Sequence, residues 1–161
     1  MATARRVPAV LTAMVLLAWA TAAAGADRHA GYYYPEPATK ETYEARAETL
    51  EETNRAVRIG FVTGLANQIL ARPYPATMAI FAKGAEAEKL ILVSLQDGRV
   101  DTLYRARAVF ANLTSIARVL PIFAEYGVQD YFTFFDLAKM MGFSQITITN
   151  GRDFAHQVFI E

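Results

Sequence analysis

His29 and His156 are the only two histidines of the chain, and it has no cysteine. His29 stands third in Asp27-Arg28-His29. A cut after Ala26 would give Asp27 a free amine, and the amides of Arg28 and His29 could deprotonate beside the imidazole. Four nitrogens in one plane suit Cu(II) or Ni(II). Asp27, Arg28 and His29 are therefore a candidate metal site at a mature N-terminus; no other cofactor is expected.

His156 falls in a stretch from Phe154 to Ile160 that alternates like a strand, on its apolar side. The preferred reading is a hydrogen-bonded core histidine. The other is a base or ligand whose ring is oriented by a carboxylate such as Asp136, or by a backbone carbonyl. A cleft opening onto His156 with a carboxylate in reach would favour function, and a sealed apolar setting would favour the core.

Other chemistries find no constellation, and no catalytic residue can be assigned. Without Cys there are no disulfides, thiol nucleophiles or thiolate metal sites. Ser94, Ser115 and Ser144 lie outside any G-x-S-x-G, and H-E-x-x-H, a P-loop and a dinucleotide glycine fingerprint are lacking.

The elements that must position these residues begin after residue 26. Arg5 and Arg6 precede an uncharged run from Val7 to Ala24, and Ala24-Gly25-Ala26 has the small-x-small form of a cleavage site. These are the three parts of a signal peptide, so residues 1–26 are expected to direct export to the periplasm. The alternative is an uncleaved inner-membrane anchor with the domain facing the periplasm. Loss of 1–26 takes two arginines with it and leaves 14 basic against 16 acidic residues, a net charge of −2. No footprint for nucleic acid or anionic lipid remains. About 135 residues suit one domain with one core.

Residues 27–55 read as an extended arm, with Tyr32, Tyr33, Tyr34, Pro35 and Pro37, followed by a charged helix or linker, KETYEARAETLEETNR. Residues 56–161 read as a single α+β domain. Ile59, Val62, Leu65, Ala66, Ile69 and Leu70 recur at helical spacing until Arg72-Pro73. Gly60 and Gly64, one turn apart, suggest close approach of a neighbouring element. Residues 77–83 and 89–95 form an expected antiparallel hairpin with a charged tip, and the second strand is apolar on both faces. Asp101 or Thr102 caps a helix near 102–120 with a stripe of Leu103, Ala106, Val109, Leu113, Ile116 and Leu120. Pro121 ends that helix or opens a short one that stops at Gly127. Thr133 and Asp136 have capping-box spacing for a helix over 130–141 ending at Gly142. The aromatic run Tyr131-Phe132-Thr133-Phe134-Phe135 reads as core plus helix entry.

The C-terminal hairpin, 144–149 and 154–160, turns at Asn150-Gly151. A three-residue loop, 150–152, would oppose Ile148 to Phe154 and Ile146 to His156. The order is α-β-β-α-α-β-β, and the simplest compact form is a two-layer domain: an antiparallel four-stranded sheet with helices on one face.

The stretches IGFVTGL (59–65), AIFAKGAEAEKLILVSL (79–95), DTLYRARA (101–108) and FFDLAKMMGF (134–143) resemble a family of short exported alphaproteobacterial proteins. With the C-terminal hairpin the resemblance covers most of 56–161. Members often bear the name molybdopterin-guanine dinucleotide biosynthesis protein A, which implies a molybdenum-cofactor nucleotidyltransferase. The Gly-rich nucleotide loop of that enzyme has no counterpart here, so the resemblance transfers no functional residue.

Export, missing catalytic constellations and surplus aromatics point to a non-enzymatic periplasmic domain. It would bind a small ligand or a protein partner in the cell envelope. The second expectation is a small periplasmic enzyme or Cu/Ni-handling protein using His156 or the mature N-terminus. The nucleotidyltransferase role ranks last.

Overall fold

A computed structural model describes residues 35–71 and 73–161. The expected signal peptide, the Asp27-Arg28-His29 metal site and the three tyrosines of the arm lie outside the described residues. Among these, no helix is long and apolar enough to cross a membrane.

The first described element is a strand, β1 (Thr39–Tyr43). Helix α1 (Arg55–Leu70) follows, then strands β2 (Met78–Lys83) and β3 (Lys89–Ser94). Helices α2 (Leu103–Ala117), α3 (Pro121–Glu125) and α4 (Phe134–Met140) lead to strands β4 (Gln145–Thr149) and β5 (Ala155–Ile160). The domain is α+β, as expected, but the sheet is mixed and five-stranded, with order β1-β5-β4-β3-β2. Both expected hairpins form, β2 with β3 and β4 with β5. The departure lies in how they join. β3 pairs with β4 in parallel, which needs a long crossover, and α2 to α4 supply it.

The fifth strand, β1, corrects the four-stranded sheet and takes the start of the stretch read as a charged helix or linker; residues 44–54 form neither helix nor strand. β1 runs parallel to β5, with Thr39 opposite His156 and Glu41 opposite Val158. The following residues cap α4 instead of forming a helix. Thr49 Oγ1 donates to the carbonyl of Lys139, and Thr53 Oγ1 and the Leu50 amide donate to that of Met140. Carbonyls at a helix end lack intrahelical partners, so this charged stretch completes the helix.

The core lies against one face of the sheet. Leu90 and Leu92 of β3, Ile146 and Ile148 of β4, and Val158 and Ile160 of β5 share that face and are buried together. Each such side chain contributes about 1.5–3 kcal/mol on burial. Val62 of α1, Phe110 of α2, Phe123 of α3 and Leu137 of α4 belong to the same cluster.

Helix α2 starts at Thr102, whose side chain accepts from the Arg105 amide. Its buried residues are Ala106, Val109, Phe110 and Ala117, whereas Ile116 is 47% exposed. The expected stripe ran through Ile116, and the observed one turns to Ala117. At about 100° per residue, position 117 returns to within about 20° of 106, and 116 falls about 80° away. In α1 only Arg58 and Val62 are buried, and Leu70 is 71% exposed. A Cβ on Gly60 or Gly64 would meet nothing within 4 Å. The expected close approach at these glycines does not occur.

Candidate functional site: a cleft in front of a buried histidine

β5 places His156 on the core face, as expected, but through a different register. The connection is longer than three residues: Ile148 faces His156 and Ile146 faces Val158. The Asn150 side chain accepts from the amides of Arg152, Asp153 and Phe154, which sets this wider turn. A slip of two residues leaves the same side chains on the same face, so His156 stays inward.

His156 is fully buried, and both ring nitrogens have partners. Nε2 lies 2.9 Å from Glu41 Oε1, and Nδ1 lies 2.8 Å from Thr39 Oγ1. A carboxylate only accepts, so this partner assigns the hydrogen to Nε2. Nδ1 faces both the hydroxyl and, at 3.3 Å, the backbone carbonyl of Thr39. The Phe110 ring packs beside the imidazole at 6.2 Å between centroids.

The carboxylate holding His156 is therefore Glu41 and not Asp136. Asp136 is also fully buried, but its oxygens are engaged in shaping the chain. They accept from the Arg46 amide at 2.8 Å, the Thr133 amide at 2.7 Å and the Tyr43 hydroxyl at 3.0 Å. Thr133 Oγ1 lies 2.9 Å away and accepts from the Asp136 amide, which with the Thr133 amide bond completes the expected capping box at the start of α4. Asp136 thus ties β1 to α4 and leaves His156 to another acid.

Glu41 opens onto a cleft of about 300 Å³ between β1, α2 and the start of α4. Its walls are Glu41 and Tyr43 from β1, Thr133 and Phe135 from α4, and four residues from α2. Those four, Arg107, Phe110, Ala111 and Thr114, follow the spacing i, i+3, i+4, i+7 of one helix face. Phe135 packs at 4.8 Å from Tyr43 and 4.9 Å from Phe110, giving an aromatic floor. At the rim, Arg107 Nη2 donates to Glu41 Oε2 over 2.7 Å, with 60% of the Arg107 side chain exposed.

Burial pushes the Glu41 carboxyl up, but hydrogen bonds from Arg107 and His156, with their charges, outweigh it and hold it below the usual carboxylate value. Burial raises the Tyr43 phenol above its usual value, helped by Asp136 and opposed by Thr133. At neutral pH the cleft thus shows an ionised Glu41 and a neutral Tyr43. Among the described residues no group of three or more His, Asp or Glu side chains could hold a metal ion.

Of the residues singled out in the sequence, His156 lies behind this cleft and Asp136 braces one wall. His29, Asp27 and Arg28 lie outside the described residues. Glu41, Tyr43, Arg107, Phe110 and Thr114 were not anticipated. The α2 residues do carry a signal, a second stripe of mixed polarity beside the core stripe. Glu41 carries none, since its place depends on a strand pairing with β5 and on a histidine 115 positions away.

The chain matches no family model, and no curated protein or solved structure shows significant similarity to it.

Proposed function

We propose that this is an exported periplasmic domain that binds a small ligand in the cleft between β1, α2 and α4 and does not transform it. The observation that carries the proposal is the cleft itself, an aromatic floor with Arg107 and Glu41 at its rim. Ligand sites are concave and mostly apolar, with a few fixed polar groups, and this cleft has that form at the small end of the usual range. Binding without turnover is supported by the state of its polar groups. The His156 ring is sealed behind Glu41, both Glu41 oxygens accept hydrogen bonds, and the Tyr43 hydroxyl donates to Asp136. A base or nucleophile must reach the reacting atom, and these groups are turned to one another.

Export is supported by Arg5-Arg6, the uncharged run Val7–Ala24 and Ala24-Gly25-Ala26. The resemblance to short exported alphaproteobacterial proteins agrees with it. Nuclear magnetic resonance of the labelled protein, recovered from cells and titrated with a fragment library, tests the function. The expected result is amide shifts gathered at Glu41, Tyr43, Arg107, Phe110 and Thr114, with the fragments recovered unchanged. Shifts gathered elsewhere, or chemical conversion of a bound fragment, would overturn it.

A further inference from the structure

The polar inventory of the cleft is unbalanced, and the imbalance selects a ligand class. Arg107 has five N–H donors, and Nη2 uses one of them on Glu41. Among the described residues Arg107 makes no other hydrogen bond, and it lines the cleft with 60% of its side chain exposed. Thr114 Oγ1 accepts from the Phe134 amide and keeps its own hydrogen to donate. The acceptors each already take at least one donor. Glu41 takes Arg107 on one oxygen and His156 on the other, and Asp136 lies fully buried behind Tyr43 and Thr133. His156 thereby acts as a positioning residue. It draws one Glu41 oxygen toward the core and leaves the other on the guanidinium, which fixes where Arg107 stands.

Resting on the binding role above, we infer that the ligand is a small monocarboxylic acid with an apolar, preferably aromatic, body. Its carboxylate lies on the free edge of Arg107. Its body lies on Phe110 and Phe135. A planar carboxylate matches the guanidinium fork with two parallel hydrogen bonds. A dianion fits less well, because Glu41, only 2.7 Å from Arg107, repels a second charge. A cation meets the like charge of Arg107, which stands 2.7 Å from Glu41. The volume of about 300 Å³ admits one ring with a short acid arm.

Four probes with one phenyl body separate the alternatives: phenylacetate, phenylacetamide, phenethylamine and phenyl phosphate, each titrated into the protein as recovered from cells. Phenylacetate is expected to bind at least about tenfold more tightly than the other three, a difference of about 1.4 kcal/mol. Arg107→Gln should erase that preference, weakening phenylacetate more than phenylacetamide. Preferential binding of the amide, amine or phosphate at the cleft would overturn the carboxylate inference and leave the binding role standing. No cleft shift with any of the four would overturn both. As a check on positioning, His156→Gln should weaken phenylacetate more than phenylacetamide. Equal weakening of the two would assign His156 a merely structural role.

Discussion

His156 Nε2 and Glu41 Oε1 meet at 2.9 Å across 115 residues of sequence, joining the last strand of the sheet to the first. The contact closes the core on one side and opens a cleft on the other. The imidazole is fully buried, whereas Glu41 keeps 31% of its side chain exposed toward Arg107. One ion pair at the rim and one buried hydrogen bond thus share a single carboxylate.

Removing that carboxylate should cost stability. Glu41→Ala leaves the buried Nε2–H without an acceptor, and an unsatisfied buried donor costs about 1–3 kcal/mol. Urea unfolding should show a loss in that range. A loss confined to a few tenths, as for an exposed ion pair, would mean that the His156 contact contributes little.

Acid should expose the same group. The Glu41 carboxyl titrates below its free-chain value of 4.5, so the unfolded chain takes up this proton first as pH falls. Its contribution to stability is therefore complete above about pH 4.5 and is lost as pH falls through the lower, folded value. Glu41→Gln lacks this component. The stability advantage of the wild-type protein over Glu41→Gln should shrink below about pH 4.5; an advantage that stays constant down to pH 3, about 1.5 units lower, would contradict the shift.

Asp136→Asn separates bracing from function. The Asp136 carboxylate accepts from two backbone amides and the Tyr43 hydroxyl, with Thr133 Oγ1 also in reach. An amide in its place must turn an N–H toward one of these donors. Bonds to charged groups contribute about 1.5–3 kcal/mol each, so unfolding should show a loss of at least about 2 kcal/mol. A neutral result would show that the capping box and the tie to β1 carry little energy.

Two kinds of glycine should respond in opposite directions. Gly142 has φ +75°, and a Cβ there would lie 2.6 Å from Arg58 Nη1 and 2.7 Å from Thr53 Cγ2. Gly142→Ala should destabilise by more than about 1 kcal/mol. Gly60→Ala and Gly64→Ala, in open helix interior, should each stabilise by about 0.5–1 kcal/mol. Thermal unfolding of the three variants checks both signs, and destabilisation at Gly60 would restore the close packing that its spacing suggested.

Local chemistry in the sequence marks most elements. Thr102 and Thr133 as helix caps and the two hairpins all follow from residues a few positions apart. What was not legible is non-local. The parallel pairing of β3 with β4, and of β1 with β5, leaves no turn to read. β1 is the clearest case. Thr39, Glu41 and Tyr43 alternate inward over only five residues, inside a stretch whose charge density suggests a solvated helix. Glu41 can point inward because His156 and Arg107 receive it, and both lie far along the chain. That His156 would need a hydrogen-bond partner, a carboxylate or a backbone carbonyl if functional, was legible. Asp136 was the nearer choice in sequence, but its oxygens are already committed to Tyr43, Arg46 and Thr133.

The most direct test of the cleft as a binding site is to fill it without touching the core. Ala111 lines the cleft from the exposed side of α2. Ala111→Trp should lower the affinity for cleft-binding fragments by at least about tenfold and leave the unfolding midpoint essentially unchanged. Unaltered affinity in a folded Ala111→Trp protein would contradict the account and place the ligand elsewhere.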